Sequence, residues 1–66
     1  MKNKVKLERA MKSMTQAALA ELIGVSRQTV NTIESGRYVP SAVLALKISR
    51  VFEKPVNELF ELEETD

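Results

Sequence analysis

The spacing of small and apolar residues between Gln16 and Ile33 limits the fold more than any other feature of the sequence. Ala20 lies four positions after Gln16, and Gly24 lies four positions after Ala20. A side chain as small as that of Ala20 lets a second helix cross the first closely, and Gly24 can take the left-handed conformation that turns the chain sharply. Val30 and Ile33 would then press the second helix onto the first. The spacing therefore predicts two short helices that meet across a tight turn.

Capping residues set the bounds of this pair. Thr15 and Ser26 are good N-caps, because their hydroxyls accept hydrogen bonds from free amides of the first helical turn. They predict helices over Gln16–Ile23 and Arg27–Ser35. A helix-turn-helix over residues 16–35 would insert the N-terminal end of its second helix into the DNA major groove. Ordinary helical hairpins show the same intervals, so the spacing alone leaves both interpretations open.

The outward face of the second helix favours DNA binding. Arginine can bond guanine in bidentate fashion, glutamine can do the same for adenine, and a threonine methyl can contact the methyl of thymine. A merely solvated face would more often alternate Glu and Lys, although an ordinary polar surface remains the alternative. The polar side chains on this face are Arg27, Gln28, Thr29, Asn31 and Thr32.

Length and composition exclude several other functions. The chain has 66 residues, which form one domain with a small core and no room for a large enzyme pocket. It contains no Cys and no His, which removes disulfides, zinc-finger sites and imidazole catalysis. We therefore expect no enzyme, metal site, cofactor or small-molecule ligand. The longest apolar run, Ala42–Leu46, is far too short to span a membrane, so a cytoplasmic protein is expected.

Charge is divided unevenly along the chain. Residues 1–57 carry ten Lys and Arg against four Asp and Glu, whereas residues 58–66 carry five acidic residues. A basic body favours an anionic partner such as double-stranded DNA, although a solvated helical surface has a similar balance.

Apolar positions at helical intervals predict three further helices, which makes the fold class all-α. The fourth covers Ala42–Phe52, and the fifth begins at Pro55 and ends at Phe60. The first covers Val5–Lys12. We expect it to leave Lys6, Glu8 and Lys12 in water and to turn inward Leu7, Ala10 and Met11, followed by Met14.

Four segments together resemble the phage-repressor and Cro-like, or XRE, family. The resemblance covers Arg9 to about Phe60. It implies a compact five-helix, lambda-repressor-like domain that regulates transcription, usually as a homodimer on a palindromic operator. Some short members of this family also pair their ends as a two-stranded ribbon. The segments are Thr15-Gln16-Ala17-Ala18-Leu19-Ala20, Gly24-Val25-Ser26-Arg27-Gln28-Thr29-Val30, Ile33-Glu34-Ser35-Gly36 and Pro40-Ser41.

The chain ends fit such a ribbon. Lys2 and Lys4 alternate with neutral residues, as do Glu61 and Glu63, so opposite charges would face each other across two strands. A frayed, solvated tail is the alternative.

The resemblance also implies roles for individual residues. The base contacts that it implies are made chiefly by Gln28, Thr29 and Thr32, with Asn31 farther round the helix. Arg27 contacts either a base or a phosphate. The phosphate contacts that it implies are made by the side chains of Thr15, Gln16, Ser35, Arg37 and Tyr38 and by the backbone amides of the loop at residues 35–38. Lys6 and Lys47 are further candidates for phosphate contacts. Structural roles fall to Arg9 and Glu34 as an ion pair, and to Ala20, Gly24, Val30 and Ile33.

Some roles stay open at this level. Gln16 either binds a phosphate or only caps its helix, and Tyr38 either binds a phosphate or covers the core. The resemblance places the dimer contacts in the fourth and fifth helices, where Val56, Leu59 and Phe60 either seal the core or face a second protomer. The function that we expect is a sequence-specific regulator, most simply a repressor. The alternative is a protein-interaction module, such as an antitoxin or accessory subunit with the same fold.

Overall fold

Five helices and a terminal two-stranded ribbon make up the chain in the computed structural model, which describes all 66 residues. The helices are α1 (Val5–Met11), α2 (Gln16–Ile23), α3 (Arg27–Glu34), α4 (Ala42–Phe52) and α5 (Val56–Leu59). The ribbon joins β1 (Lys2–Asn3) and β2 (Phe60–Glu61) in antiparallel fashion, with Lys2 opposite Glu61 and Asn3 opposite Phe60. The predicted fold is confirmed, and of the two alternatives for the chain ends the ribbon is the one present. Only Lys2 and Glu61 face each other as opposite charges in it, because Lys4 is the N-cap residue of α1 and Glu63 lies beyond β2. No helix is both long and apolar enough to cross a membrane.

Side-chain caps begin three of the helices where the sequence predicts. Thr15, Ser26 and Ser41 precede α2, α3 and α4, and each hydroxyl accepts from the amide three residues on, at 3.0 to 3.2 Å. The predicted start of α5 at Pro55 is wrong by one residue, because Pro55 precedes the helix as its N-cap residue. The bounds of α2 and α4 agree with the prediction, whereas α1, α3 and α5 each end one residue earlier. At α5 the reason is that Phe60 leaves the helix to pair in β2.

The turn between α2 and α3 depends on a left-handed glycine. Gly24 has φ of +74°, and the next amide, that of Val25, donates to the Ala20 carbonyl at 3.0 Å. A Cβ built on Gly24 would meet no atom within 4 Å. Glycine is therefore favoured there by the backbone conformation and not by lack of space.

The core lies where the helices meet and consists of eleven buried hydrophobic residues. α2 and α3 supply five of them, and this holds the two helices of the helix-turn-helix together. The core residues are Val5, Leu19, Ala20, Ile23, Val30, Ile33, Leu44, Ile48, Phe52, Leu59 and Phe60.

The predicted inward face of α1 is wrong. Leu7 and Met11 are 55% and 67% exposed, and Ala10 is exposed as well. The buried residues of α1 are Val5 and Glu8 instead. The apolar residues of α1 recur with a helical period, but they do not determine which face of the helix is buried.

Glu8 can be buried because it has a partner distant in sequence. Its carboxylate lies 2.7 Å from the ammonium of Lys54, in the turn between α4 and α5. The Glu8 side chain is 8% exposed and that of Lys54 is 39% exposed. The ion pair thus joins α1 to the α4–α5 turn and leaves the apolar face of α1 in solvent.

The two termini close the fold beside this turn. Leu59 is 1% exposed and Phe60 is 7% exposed, so both seal the core of their own chain and neither is free to face a second protomer. The last residues stay close to the ribbon, since the Met1 ammonium lies 3.0 Å from Glu63 and 3.1 Å from Asp66.

Candidate nucleic-acid interface

α3 presents a polar face to solvent because its opposite face is buried. Val30 and Ile33 are each 1% exposed and belong to the core that α3 shares with α2. Arg27, Gln28 and Asn31 are exposed, and their side chains make no hydrogen bond within the chain. Three side chains with unused hydrogen-bonding groups therefore project from the first turns of α3, at the end that enters a major groove in this motif.

The two threonines of this face are engaged differently. The Thr29 hydroxyl lies 2.9 Å from the hydroxyl of the cap residue Ser26. The Thr32 hydroxyl donates to the backbone carbonyls of Thr29 at 2.9 Å and Gln28 at 3.1 Å. Each hydroxyl oxygen keeps a lone pair that can accept from the amino group of a base, and the methyl group of each residue suits the methyl of thymine.

A buried ion pair ties the end of α3 to the rest of the site. Arg9 donates through Nε to Glu34 Oε2 at 2.8 Å and through Nη2 to Oε1 at 3.1 Å. A third bond runs from Arg9 Nη1 to the Met14 carbonyl at 2.8 Å. The Arg9 side chain is 15% exposed and that of Glu34 is 4% exposed. The pair expected from the resemblance is therefore present, shielded from water and bidentate.

The environment of Glu34 favours its ionised form. Burial by itself disfavours the carboxylate, but the hydrogen bonds from Arg9 and Gln16 and the charges of Arg9 and Lys6 outweigh it, so the pKa of Glu34 lies below its ordinary value. The same hydrogen bond raises the pKa of Arg9 against the opposing effect of its own burial. Both groups are charged at neutral pH.

Gln16 belongs to this network and is not the cap of its helix. Its Nε2 donates to Glu34 Oε1 at 3.1 Å, whereas the capping oxygen is that of Thr15, which accepts from Ala18. An amide nitrogen carries two hydrogens, so one donor of Gln16 is left for another acceptor. The amides of Gln16 and Ala17 also lack helical partners, as the first amides of any helix do. This helix start offers several donors to an anion, with Arg27 beside it lining the same depression.

The loop after α3 differs from what the resemblance implies. The amide of Gly36 donates to the Ile33 carbonyl at 3.0 Å, and those of Arg37 and Tyr38 donate to the Thr32 carbonyl at 3.1 and 3.3 Å. These bonds end the helix, with Gly36 in the left-handed conformation at φ +79°. The amides of this loop are therefore engaged, and an amide-based phosphate clamp is not present. The charged side chain of Arg37 is exposed.

The other two loop residues lie at the surface. Ser35 is exposed and uses its hydroxyl to donate to the Thr32 carbonyl at 3.0 Å. Tyr38 is 45% exposed and outside the core, so it does not cover the core as one interpretation had it. With Thr29, Thr32 and Arg37 it lines a shallow depression beside α3.

Three residues remain: the two further phosphate candidates, Lys6 and Lys47, and one contact residue without a predicted role, Asn3. Lys6 is close enough to Glu34 for its charge to lower the pKa of that carboxyl, whereas Lys47 is exposed on α4. Asn3 had no predicted role, yet its side chain bonds the Ile33 carbonyl of α3 at 2.8 Å. The only signal for Asn3 was its residue type just before a helix, where Asn commonly bonds a free amide.

Comparisons with known proteins agree with this geometry. A family model described as helix-turn-helix matches residues 5–59. The chain is 53% identical over 64 residues to YgzD of Bacillus subtilis, an uncharacterized HTH-type transcriptional regulator, with 97% of each chain covered. It is 46% identical to another such regulator, from Methanocaldococcus jannaschii, over all of both chains. A solved structure, the restriction-modification controller protein C.AhdI from Aeromonas hydrophila, superposes with a TM-score of 0.79 at 32% identity over 86% of each chain. The chain therefore belongs to the helix-turn-helix family, as a transcriptional regulator of the XRE type.

Proposed function

We propose that this regulator is a cytoplasmic repressor that binds a palindromic operator in double-stranded DNA as a homodimer, with α3 in the major groove. The observation that carries the proposal is the set of unbonded side chains on the first turns of α3. Arg27 and Gln28 are of the types that bond base edges, and Arg27 lines one depression with Gln16 while Arg37 lines another with Thr29 and Thr32.

The contacts divide into two classes. Gln16, the first amides of α2 and the side chains of Arg37 and Tyr38 bind phosphates and so fix where the domain lies on the duplex. Gln28 and Arg27, helped by the methyl groups of the threonines, read the bases. Repression follows from occupation of a site that the transcription machinery also needs.

One protomer reads too few base pairs to select a site in a genome, so we infer a dimer. The exposed apolar side chains of α4 support one surface for it. Val43 and Leu46 are 64% and 63% exposed and three positions apart, on one face of the helix, and Val39 just before α4 is 55% exposed. A second copy related by twofold symmetry would bury this face in both protomers and set half-sites about 34 Å apart.

Sedimentation of a Leu46→Glu variant tests that surface. A charge in a buried apolar contact should shift the chain to monomer, whereas Leu22→Glu, at a residue equally exposed on α2, should leave the dimer intact. If both variants stay dimeric, α4 is not the interface. A Leu59→Glu variant would be uninformative, since Leu59 is a core residue and its loss would unfold the domain.

Selection from a random DNA pool, followed by sequencing, tests the function itself. Recovery of a palindrome with half-sites about one turn apart is the expected result. Retained DNA without a motif would reduce the proposal to non-specific binding. If no DNA is retained, the chain acts instead through a protein partner, as an antitoxin or accessory subunit would.

Two alanine variants separate the base reader from the phosphate binder on the selected site. Gln28→Ala should lose about 1 to 3 kcal/mol and relax the preference at one base pair, with little effect on random DNA. Arg37→Ala should weaken binding to both kinds of DNA. It should also reduce the steepness of log affinity against log salt by about 0.9, the value for one lost phosphate contact. Equal losses of Gln28→Ala on operator and random DNA would overturn its assignment.

A further inference from the structure

We propose that Asn3 is a positioning residue for DNA binding, which holds the last turn of α3 and the loop after it in the orientation that base reading requires. The proposal rests on the proposed function. It starts from one contact: Asn3 Nδ2 donates to the Ile33 carbonyl of α3 at 2.8 Å, across thirty positions of sequence.

The Asn3 side chain is fixed from both of its ends. Its Oδ1 accepts from the Val5 amide at 3.2 Å, at the start of α1, while Nδ2 bonds Ile33. The side chain cannot be reversed, because a reversed amide would turn its NH₂ group toward the Val5 amide and its oxygen toward the Ile33 carbonyl. The backbone is held as well, since Asn3 pairs with Phe60 in the ribbon and the next amide, that of Lys4, donates to the Leu59 carbonyl at 2.8 Å.

The carbonyl that Asn3 holds is the one that starts the loop. Ile33 also accepts from the amide of Gly36 at 3.0 Å, so both lone pairs of this oxygen are used. The Met1 carbonyl oxygen is also near this loop, because a Cβ built on Gly36 would lie 3.8 Å from it. The bond from Asn3 thus ties the start of the loop that carries Arg37 to the N-terminal residues.

Asn3 and Arg9 form two adjacent braces on α3. Asn3 bonds the Ile33 backbone, and Arg9 bonds the side chain of the next residue, Glu34. Two contacts on consecutive residues hold the C-terminal end of the helix, about which the rest of it could otherwise tilt. At 1.5 Å per residue, Gln28 lies roughly 7.5 Å from Ile33 along the axis, so a tilt of about 8° would move the base-reading side chain by about 1 Å.

An Asn3→Ser variant isolates the brace. A serine hydroxyl can still accept from the amide two residues on, as Oδ1 of Asn3 does from Val5, but it is too short to reach Ile33, and no charge changes. Asn57→Ser is the matched control, because Asn57 is exposed on α5. Both variants are measured at a temperature at which circular dichroism shows them folded.

We expect Asn3→Ser to raise the Kd for the selected operator about fivefold, which corresponds to about 1 kcal/mol needed to restore the orientation of the loosened helix end on the DNA, and to raise the Kd for random DNA less than about twofold. Asn57→Ser should change neither. A purely structural role would lower the melting temperature and leave the ratio of operator to random affinity unchanged. Hydrogen exchange gives a second measurement: the Arg37 and Tyr38 amides, which donate to Thr32, should exchange faster in Asn3→Ser than in the control.

The outcomes separate the two proposals. An unchanged affinity ratio in folded Asn3→Ser overturns the role of Asn3 and leaves DNA binding intact. If the parent chain itself shows no operator preference, the proposed function fails, and the positioning role fails with it. If Asn3→Ser does not fold, Asn3→Asp replaces it, since aspartate keeps the size and the acceptor but loses the donor to Ile33; Asn57→Asp is then its control.

Discussion

Replacement of Arg9 by methionine should lower the free energy of unfolding by about 3 kcal/mol. The guanidinium makes two bonds to Glu34 and one to the Met14 carbonyl, and all three are lost. Breaking one side of a buried ion pair costs about 3 to 5 kcal/mol, because the remaining charge is left without a partner, whereas an exposed pair contributes less than about 1 kcal/mol. The Glu34 side chain is 4% exposed, which indicates the buried case. Gln16 continues to donate to Glu34, so we expect the lower end of the range.

Such a loss is large for this chain. Natural domains have about 0.05 to 0.15 kcal/mol of stability per residue, which for 66 residues is roughly 3 to 10 kcal/mol. The melting temperature should fall by about 12 to 24 °C. Urea unfolding at pH 7, followed by circular dichroism, measures the difference. Arg50→Met is the matched control, since Arg50 is exposed on α4 and makes no ion pair; it should change stability by less than about 0.5 kcal/mol.

A second variant separates a lost attraction from a stranded charge. Arg9→Met combined with Glu34→Leu removes both charges, so most of the stability should return if the cost came from the unpaired carboxylate. A loss below about 1 kcal/mol for Arg9→Met alone would refute the reasoning, because it would mean that water reaches Glu34 despite its burial.

Three further predictions concern stability. The pKa of Glu34 is depressed in the folded chain, so its contribution to the free energy of unfolding is present above the unfolded pKa near 4.5 and is lost as the pH falls through the folded value. The urea midpoints of the parent and of Glu34→Gln should therefore converge in acid. A gap between them that stays constant from pH 7 to 2.5 would contradict this. Lys54→Met should lower the free energy of unfolding by about 1 to 3 kcal/mol, because it leaves the buried carboxylate of Glu8 without a partner; the lower end is favoured, since Lys54 is 39% exposed. Lys47→Met, at an exposed and unpaired lysine, is the control in the same urea assay. Gly24→Ala should cost about 1 to 2 kcal/mol from its positive φ alone, since no atom obstructs a Cβ there; calorimetry that found complete unfolding would show that a steric clash contributes.

The parts of the fold that sequence predicted are those governed by local chemistry. A cap hydroxyl and a left-handed glycine act within four residues, and accordingly α2 and its turn agree with the prediction. The charge pattern of the termini and the family resemblance allowed a ribbon without excluding a frayed tail, and they extended the pairing to Lys4 and Glu63, which lie outside both strands. The expectation of a non-enzymatic function agrees with the regulator family to which the chain belongs.

The features of the fold and the site that the sequence did not predict depend on partners far away in the chain. Glu8 was assigned to solvent because nothing near it in sequence announces Lys54, forty-six positions later. Asn3 was overlooked because its main partner, Ile33, is a backbone carbonyl, which no side-chain pattern reveals. The loop amides were assigned to phosphates, since their engagement with the Thr32 carbonyl depends on how α3 ends.

The separation of core residues from exposed residues on α3 affects how such a regulator can change its target during evolution. Val30 and Ile33 hold the helix in the core, while Gln28 and Asn31 on the outward face are bonded to nothing else in the chain. Substitutions at exposed positions of this kind usually shift stability by less than about 0.5 kcal/mol. If α3 reads bases as proposed, the preferred DNA sequence can drift almost independently of folding, and duplicated copies of the gene could acquire separate operators without first acquiring stabilising mutations.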